Sequence, residues 1–166
     1  MFDQGDYVMY PFHGVCSIDE ISEQVIGKVK RNYYILHPIH EANSTIMTPV
    51  DNAKVNLRAI ISYEEANEVL NSIPNINMTW TVDRNARNNE FSQIIKEVNP
   101  NELAKLICLL TAKKSEAKLL GKKFSESDDK VLSSAKKLLF SELSMSLNTN
   151  LDVVKSEFSK RINVES

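Results

Sequence analysis

Ile60-Ile61-Ser62-Tyr63-Glu64-Glu65-Ala66 is the stretch at which the chain changes its periodicity. Before it, apolar residues come in short runs of β type. After Ser62 they recur at the three- and four-residue spacing of a helix face. Ser62 and Glu65 form the S-x-x-E pattern of a capping box, in which each residue's side chain satisfies the other's backbone N–H. A helix therefore opens near Tyr63 and runs to about Ile73.

Working back from Ser62, Tyr7–Tyr10, Val15–Ile26, Tyr33–Leu36 and Thr45–Val50 are strand-prone runs. Pro11-Phe12-His13-Gly14 separates the first two as a turn, since proline fixes φ and glycine permits φ > 0. In the second run Val15, Ile18, Ile21, Val25 and Ile26 are apolar in loose alternation, and Gly27 breaks it as a hairpin or bulge does. Five short strands with tight turns predict a small, twisted SH3-like or Tudor-like β-barrel. So few residues bury a marginal core.

Working forward, Pro74-Asn75 ends the first helix. Thr79 is placed to cap a second, from about Trp80 to Val98. Asn99-Pro100 with Glu102 starts a third, combining an N-cap, proline at the first helical position and an acid in the first turn. Leu103, Leu106, Ile107 and Leu110 give it an apolar face, and it stops by Gly121. Ser125 with Asp128 caps a fourth, whose buried stripe is Val131, Leu132, Ala135, Leu138, Leu139 and Leu143. Asn148 to Asn150 breaks it, and Leu151, Val154, Phe158 and Ile162 share one face of a last helix. The fold class is α+β: a β-domain over residues 1–62, then a compact all-α bundle over 63–166.

The 166 residues are 42% hydrophobic and 25% charged, as in ordinary globular proteins. No apolar run approaches the roughly 20 residues that cross a bilayer, so no membrane association is expected. The N-terminus lacks a basic segment followed by an apolar one, so a cytoplasmic location is expected. Cys16 and Cys108 sit among apolar neighbours in different halves and read as free buried thiols.

Net charge is −2, but Lys105 to Lys137 holds nine lysines against four acids, a local +5. A basic surface inside a near-neutral chain suits a modest, docked contact with phosphate better than tight autonomous binding. A solvated helix face is the plainer alternative. No P-loop, dinucleotide-binding or nucleophile-elbow motif is present. His37 and His40 are separated by Pro38 and have no cysteine cluster nearby. No catalytic residue, metal site or cofactor is expected, and an enzyme is the least favoured reading.

Phe2-x-x-Gly5-Asp6-x-Val8-x-Tyr10-Pro11-x-His13-Gly14-Val15 resembles the opening of the CarD/CdnL family and of the related polymerase-binding module of transcription-repair coupling factors. Ile26-Gly27, Tyr33-Tyr34-x-Leu36, Thr45-Ile46-Met47-x-Pro49-Val50-Asp51-Asn52, Leu57-Arg58 and Ile61-Ser62 continue the resemblance in order. Trp80, Phe124-Ser125-x-x-Asp128, and Leu132-x-x-Ala135-x-x-Leu138-x-x-x-Glu142-Leu143 extend it into the helical half and favour CarD/CdnL. The resemblance implies a transcription regulator that binds the β subunit of bacterial RNA polymerase and so stays with the nucleoid.

It also implies two contact sets. The β-domain would add an edge strand to the polymerase, with Thr45, Ile46, Met47 and Thr48 as candidates. Met47 suits an exposed adaptable contact, and equally a core position. Trp80, the only tryptophan, stands where the family wedges promoter DNA at the upstream fork against the minor groove. Core packing is the usual role of such a ring. The family usually carries basic residues three and five positions after its tryptophan, where this chain has Asp83 and Asn85. Arg84 and Arg87, three apart on a helix, replace them as candidates, with Lys113, Lys114, Lys122 and Lys123 around a helix bend as phosphate contacts.

The implied mechanism is tethering: the β-domain docks, and the helical domain stabilises the open complex. The rival is a polymerase-bound adaptor whose helices recruit another protein without touching DNA. A monomer is the expected working form, with exchange at the Ser62 region as a route to a domain-swapped dimer.

Overall fold

A computed structural model describes residues 1–55 and 57–162. The chain falls into two compact units, Met1–Ile60 and Ile61–Ser166.

The first unit is an antiparallel sheet of β1 (Tyr7–Tyr10), β2 (Gly14–Ile26), β3 (Val29–Pro38), β4 (Ile46–Pro49) and β5 (Arg58–Ala59), in the order β4-β3-β2-β1-β5. The turn after β1 is closed by His13 N–H donating to the Tyr10 carbonyl at 3.2 Å. Phe12 there adopts φ 68°, a left-handed conformation that favours glycine. Gly27-Lys28 closes the β2–β3 hairpin, with Gly27 at φ 68°, as a type II′ turn requires of its first residue.

A bulge between Ile18 and Glu20 shifts the register of β2, and such an insertion bends and twists a strand. Val8, Cys16, Ile18, Tyr34 and Leu36 form the apolar centre, with Phe2, Tyr10, Ile46, Val50 and Leu57 packed on it. Beyond the bulge the alternation fails as a guide to burial. Ile21, Val25 and Ile26 are exposed. The reason is topological for Val25 and Ile26: within β2 only Gly14–Ser17 pair with β1, and Glu23–Ile26 pair with β3 alone, in a two-stranded ribbon beyond the β3–β4 pairing.

The second unit holds α1 (Tyr63–Ser72) with a 3-10 turn at Ile73–Asn75, α2 (Arg84–Glu97), α3 (Pro100–Leu119), α4 (Glu126–Ser146) and α5 (Leu151–Arg161). Both halves of the capping box form: Glu65 N–H donates to Ser62 Oγ at 3.1 Å and Ser62 N–H to Glu65 Oε2 at 2.9 Å. The start of the unit is pinned to α4. Ile61 N–H donates to Glu142 Oε2 at 3.0 Å, and Ser146 Oγ donates to the Ile61 carbonyl at 2.7 Å. Glu142 is fully buried, so its carboxylate replaces water for that N–H. Leu103, Leu106, Ile107 and Leu110 from α3 and Leu132, Ala135, Leu138, Leu139 and Leu143 from α4 are buried as their spacing predicts, while Val131 is half-buried.

Helix α2 departs from the sequence expectation. Thr79 does not cap it and Trp80 does not begin it. Asp83 is the N-cap, its Oδ2 accepting from Ala86 N–H at 2.9 Å. A carboxylate at this position also meets the positive end of the helix dipole. The acid at the third position after Trp80 therefore has a local structural task.

Cys16 is buried and Cys108 half-buried, and both are free. Burial first, and Glu41 second, push the Cys16 thiol up to about 12; burial pushes Cys108 up to about 11. Both stay protonated at neutral pH, which makes them poor nucleophiles.

Helix α3 ends in a Schellman motif. Lys122 N–H donates to the Ala117 carbonyl at 2.8 Å and Gly121 N–H to that of Lys118 at 3.2 Å, with Gly121 at φ 66°. This motif sets where Lys122 and Lys123 leave the helix. A Cβ at Gly121 meets open space, so a substitution there penalises only the backbone conformation. Gly121→Ala should lower stability by about 1–2 kcal/mol, read as an earlier midpoint in urea with an unchanged slope. An unchanged midpoint would show that the left-handed turn is not needed.

Candidate functional sites

Trp80 lies between the 3-10 turn and α2, in a segment with no regular secondary structure. It is held there by side chains. Thr81 Oγ1 donates to Glu90 Oε2 at 2.8 Å. Arg87 Nη1 donates to the carbonyls of Thr81 and Val82 at 3.1 and 3.2 Å. The Arg87 guanidinium carbon stands 4.4 Å from the Trp80 ring centroid, a cation–π contact worth about 0.5–2 kcal/mol. Phe91 packs against the indole with centroids 6.3 Å apart.

The ring is nonetheless only half-buried. It lines an open groove of about 330 Å³ together with Arg87, Lys113, Lys122, Lys123 and Phe124, among others. Trp80 is thus neither a plain core residue nor a free surface one: part of it is seated and part faces the groove. Four cations and two acids, Glu116 and Asp128, line this groove, a net +2.

The structure sorts the sequence candidates. It gathers Trp80, Arg87, Lys113, Lys122 and Lys123 around one concavity. Lys122 and Lys123 are exposed, and among the described residues neither meets an acidic partner. Lys113 has its ammonium 5.3 Å from the Trp80 centroid and 3.3 Å from Glu116 Oε2. Lys114 does not line the groove and pairs with Asp129 at 2.7 Å. Nearby Lys136 is held below the usual lysine range, first by burial and then by Lys114 and Lys155, a sign of crowded positive charge.

The two arginines do not share an exposed face. Arg84 is exposed, but Arg87 is 8% exposed and faces Asp128, with Nη2 3.5 Å from Oδ2. Arg87 packs on the Trp80 ring and is buried, unlike Arg84. Reading from sequence also missed Leu120, which is 62% exposed at the groove's rim, and the Asp128 side chain beneath it. Asp128 was legible only as part of a helix cap. Its pairing with Arg87, 41 positions away, has no local signal.

In the β unit, β4 is an outer strand whose only partner among the described residues is β3. Of the four candidate residues, Thr45 and Met47 are exposed, Ile46 is half-buried in the apolar centre and Thr48 is buried. Met47 at 49% exposure is a surface residue. His13 Nδ1 and Glu41 Oε2, 3.1 Å apart, join the β1–β2 turn to the loop before β4.

Residues 2–61 match the family described as CarD-like/TRCF RID domain, and the unit Met1–Ile60 belongs to it. The chain therefore carries an RNA-polymerase-interacting domain.

Proposed function

We propose that the chain is a transcription regulator that binds the β subunit of RNA polymerase and stabilises the promoter open complex through its helical unit. The observation that carries this reading is Trp80, held half-exposed in a groove lined by lysines. A rigid ring facing a basic concavity suits the upstream fork, where unstacked base pairs and phosphates lie together. The β unit supplies the tether through the outer edge of β4. Docking raises the local concentration of the groove at the promoter, so the DNA contact itself need not be strong. A ligand that favours the open state shifts its population only by its differential affinity. The expected working form is a monomer.

The buried state of Arg87 and the Lys113–Glu116 and Lys114–Asp129 pairs reduce the free charge of this face. They favour the adaptor reading to that extent. Arg84, Lys122 and Lys123 remain without an ionic partner among the described residues. With these three on phosphate, the binding of polymerase-docked protein to fork DNA should fall with log salt at a slope of roughly −2 to −3. A slope near zero would select the adaptor.

Met47→Asp should leave the unfolding free energy within the range of ordinary surface substitutions, about ±0.5 kcal/mol, and weaken capture of the polymerase β lobe by the full chain. Unimpaired capture would move the docking surface away from β4.

Trp80→Ala should leave β-lobe binding unchanged and shorten the open-complex lifetime. A base-facing aromatic contributes about 1–3 kcal/mol by alanine substitution, which is very roughly a five- to hundredfold shorter lifetime. Unchanged lifetime, measured on folded protein, would overturn the reading.

A further inference from the structure

We infer that Arg87 and Asp128 act as a clamp that positions Trp80, by fixing the irregular segment that carries it against the first turn of α4. The inference rests on the proposed role of Trp80 and adds two positioning residues to it.

The observations converge on one side chain. Arg87 bridges three separate parts of the unit. Its Nη1 holds two successive carbonyls, Thr81 and Val82, directly after the tryptophan. Its guanidinium packs on the indole at 4.4 Å, and its Nη2 meets Asp128 of α4 at 3.5 Å. The side chains of Arg87 and Asp128 are only 10% and 4% exposed.

Arg87 Nε and Asp128 Oδ1 are buried without a hydrogen-bond partner among the described residues. A pair of this kind is costly to bury, and apolar residues often replace it at no loss of stability. Stability alone therefore gives a poor account of it. Its geometry gives a better one: an arginine fork fixes direction, and here it fixes the backbone on which Trp80 sits.

Trp80 is the only tryptophan, so all indole emission from the protein reports on this ring. The test uses full-length protein carrying Asp128→Asn, Arg87→Lys, or the apolar pair Arg87→Met with Asp128→Leu. The double variant guards against loss of folding, because it leaves no charge unpaired.

The folded variants should show red-shifted Trp80 emission, lower anisotropy and stronger quenching by acrylamide, with β-lobe binding retained. Open-complex lifetime should fall toward that of Trp80→Ala. In a Trp80→Ala background, Asp128→Asn should shorten it no further, as expected when one residue acts through another.

Unchanged emission and quenching in the folded double variant would overturn the clamp. So would an equal loss of lifetime from Asp128→Asn with and without the indole. If Trp80→Ala itself leaves the lifetime unchanged, the DNA reading fails instead, and the emission of the clamp variants still decides whether Arg87 and Asp128 hold the ring.

Discussion

The contact between the Arg87 guanidinium and the segment Trp80–Val82 governs the geometry of the helical unit's groove. Without it, residues 76–82 have no helix or strand to fix them. Thr81 and Glu90 supply one further tie, and Asp83 fixes where α2 begins. These bonds make an irregular stretch of chain a defined platform, which a partly exposed aromatic side chain requires if it is to meet a partner in one orientation. The groove's lysines depend on a different constraint. The left-handed Gly121 turns the chain sharply after α3, and Lys122 and Lys123 follow directly.

The β unit is built by a similar economy. Its core is small, and aromatic and β-branched residues from three strands supply most of it. The Tyr34 hydroxyl accepts the Phe2 N–H at 3.0 Å, so the chain's second residue is tied to the third strand. The residues that resemble the family's opening are mostly such internal parts: Val8, Pro11, Gly14 and Val15 are buried. They make the sheet, and the sheet leaves β4 outermost. A sequence pattern can therefore identify the module strongly while saying little about the side chains that meet a partner.

That division explains what was legible. Ser62 and Glu65, Asn99-Pro100 and Ser125 announced helix starts correctly, because capping is a matter of residues two or three positions apart. The apolar faces of α3 and α4 were legible for the same reason. The start of α2 was misplaced because Thr79 and Asp83 are both good caps. Asp83 takes the cap, and Arg87 donates to the Thr81 and Val82 carbonyls that lie between the two candidates. The strand over Val15–Ile26 and its break at Gly27 were legible, but the exposure of the ribbon beyond Ser22 was not, because alternation records a strand's own pattern and not how many strands cover it. Of the candidate DNA-contacting residues, the lysines near Gly121 were placed by local turn chemistry. The burial of Arg87 against Asp128 was not legible, because the two residues are distant in sequence.

The near-neutral charge of the chain is consistent with the proposed mode of action, and the magnitudes show why. A flexible intramolecular tether gives an effective concentration on the order of 1 mM. A contact with a dissociation constant of about 1 mM corresponds to only about 4 kcal/mol of binding free energy, yet it is then half-occupied. One indole and two or three lysines are enough for that. A more basic face would add affinity for all DNA alike, since phosphate contacts carry no sequence information. It would also draw the free protein away from polymerase. In the proposed mode, pairing Arg87 with Asp128, Lys113 with Glu116 and Lys114 with Asp129 keeps this affinity low. In the proposed mode, the acids that seem to weaken the interface confine its action to promoters where the β unit is already docked.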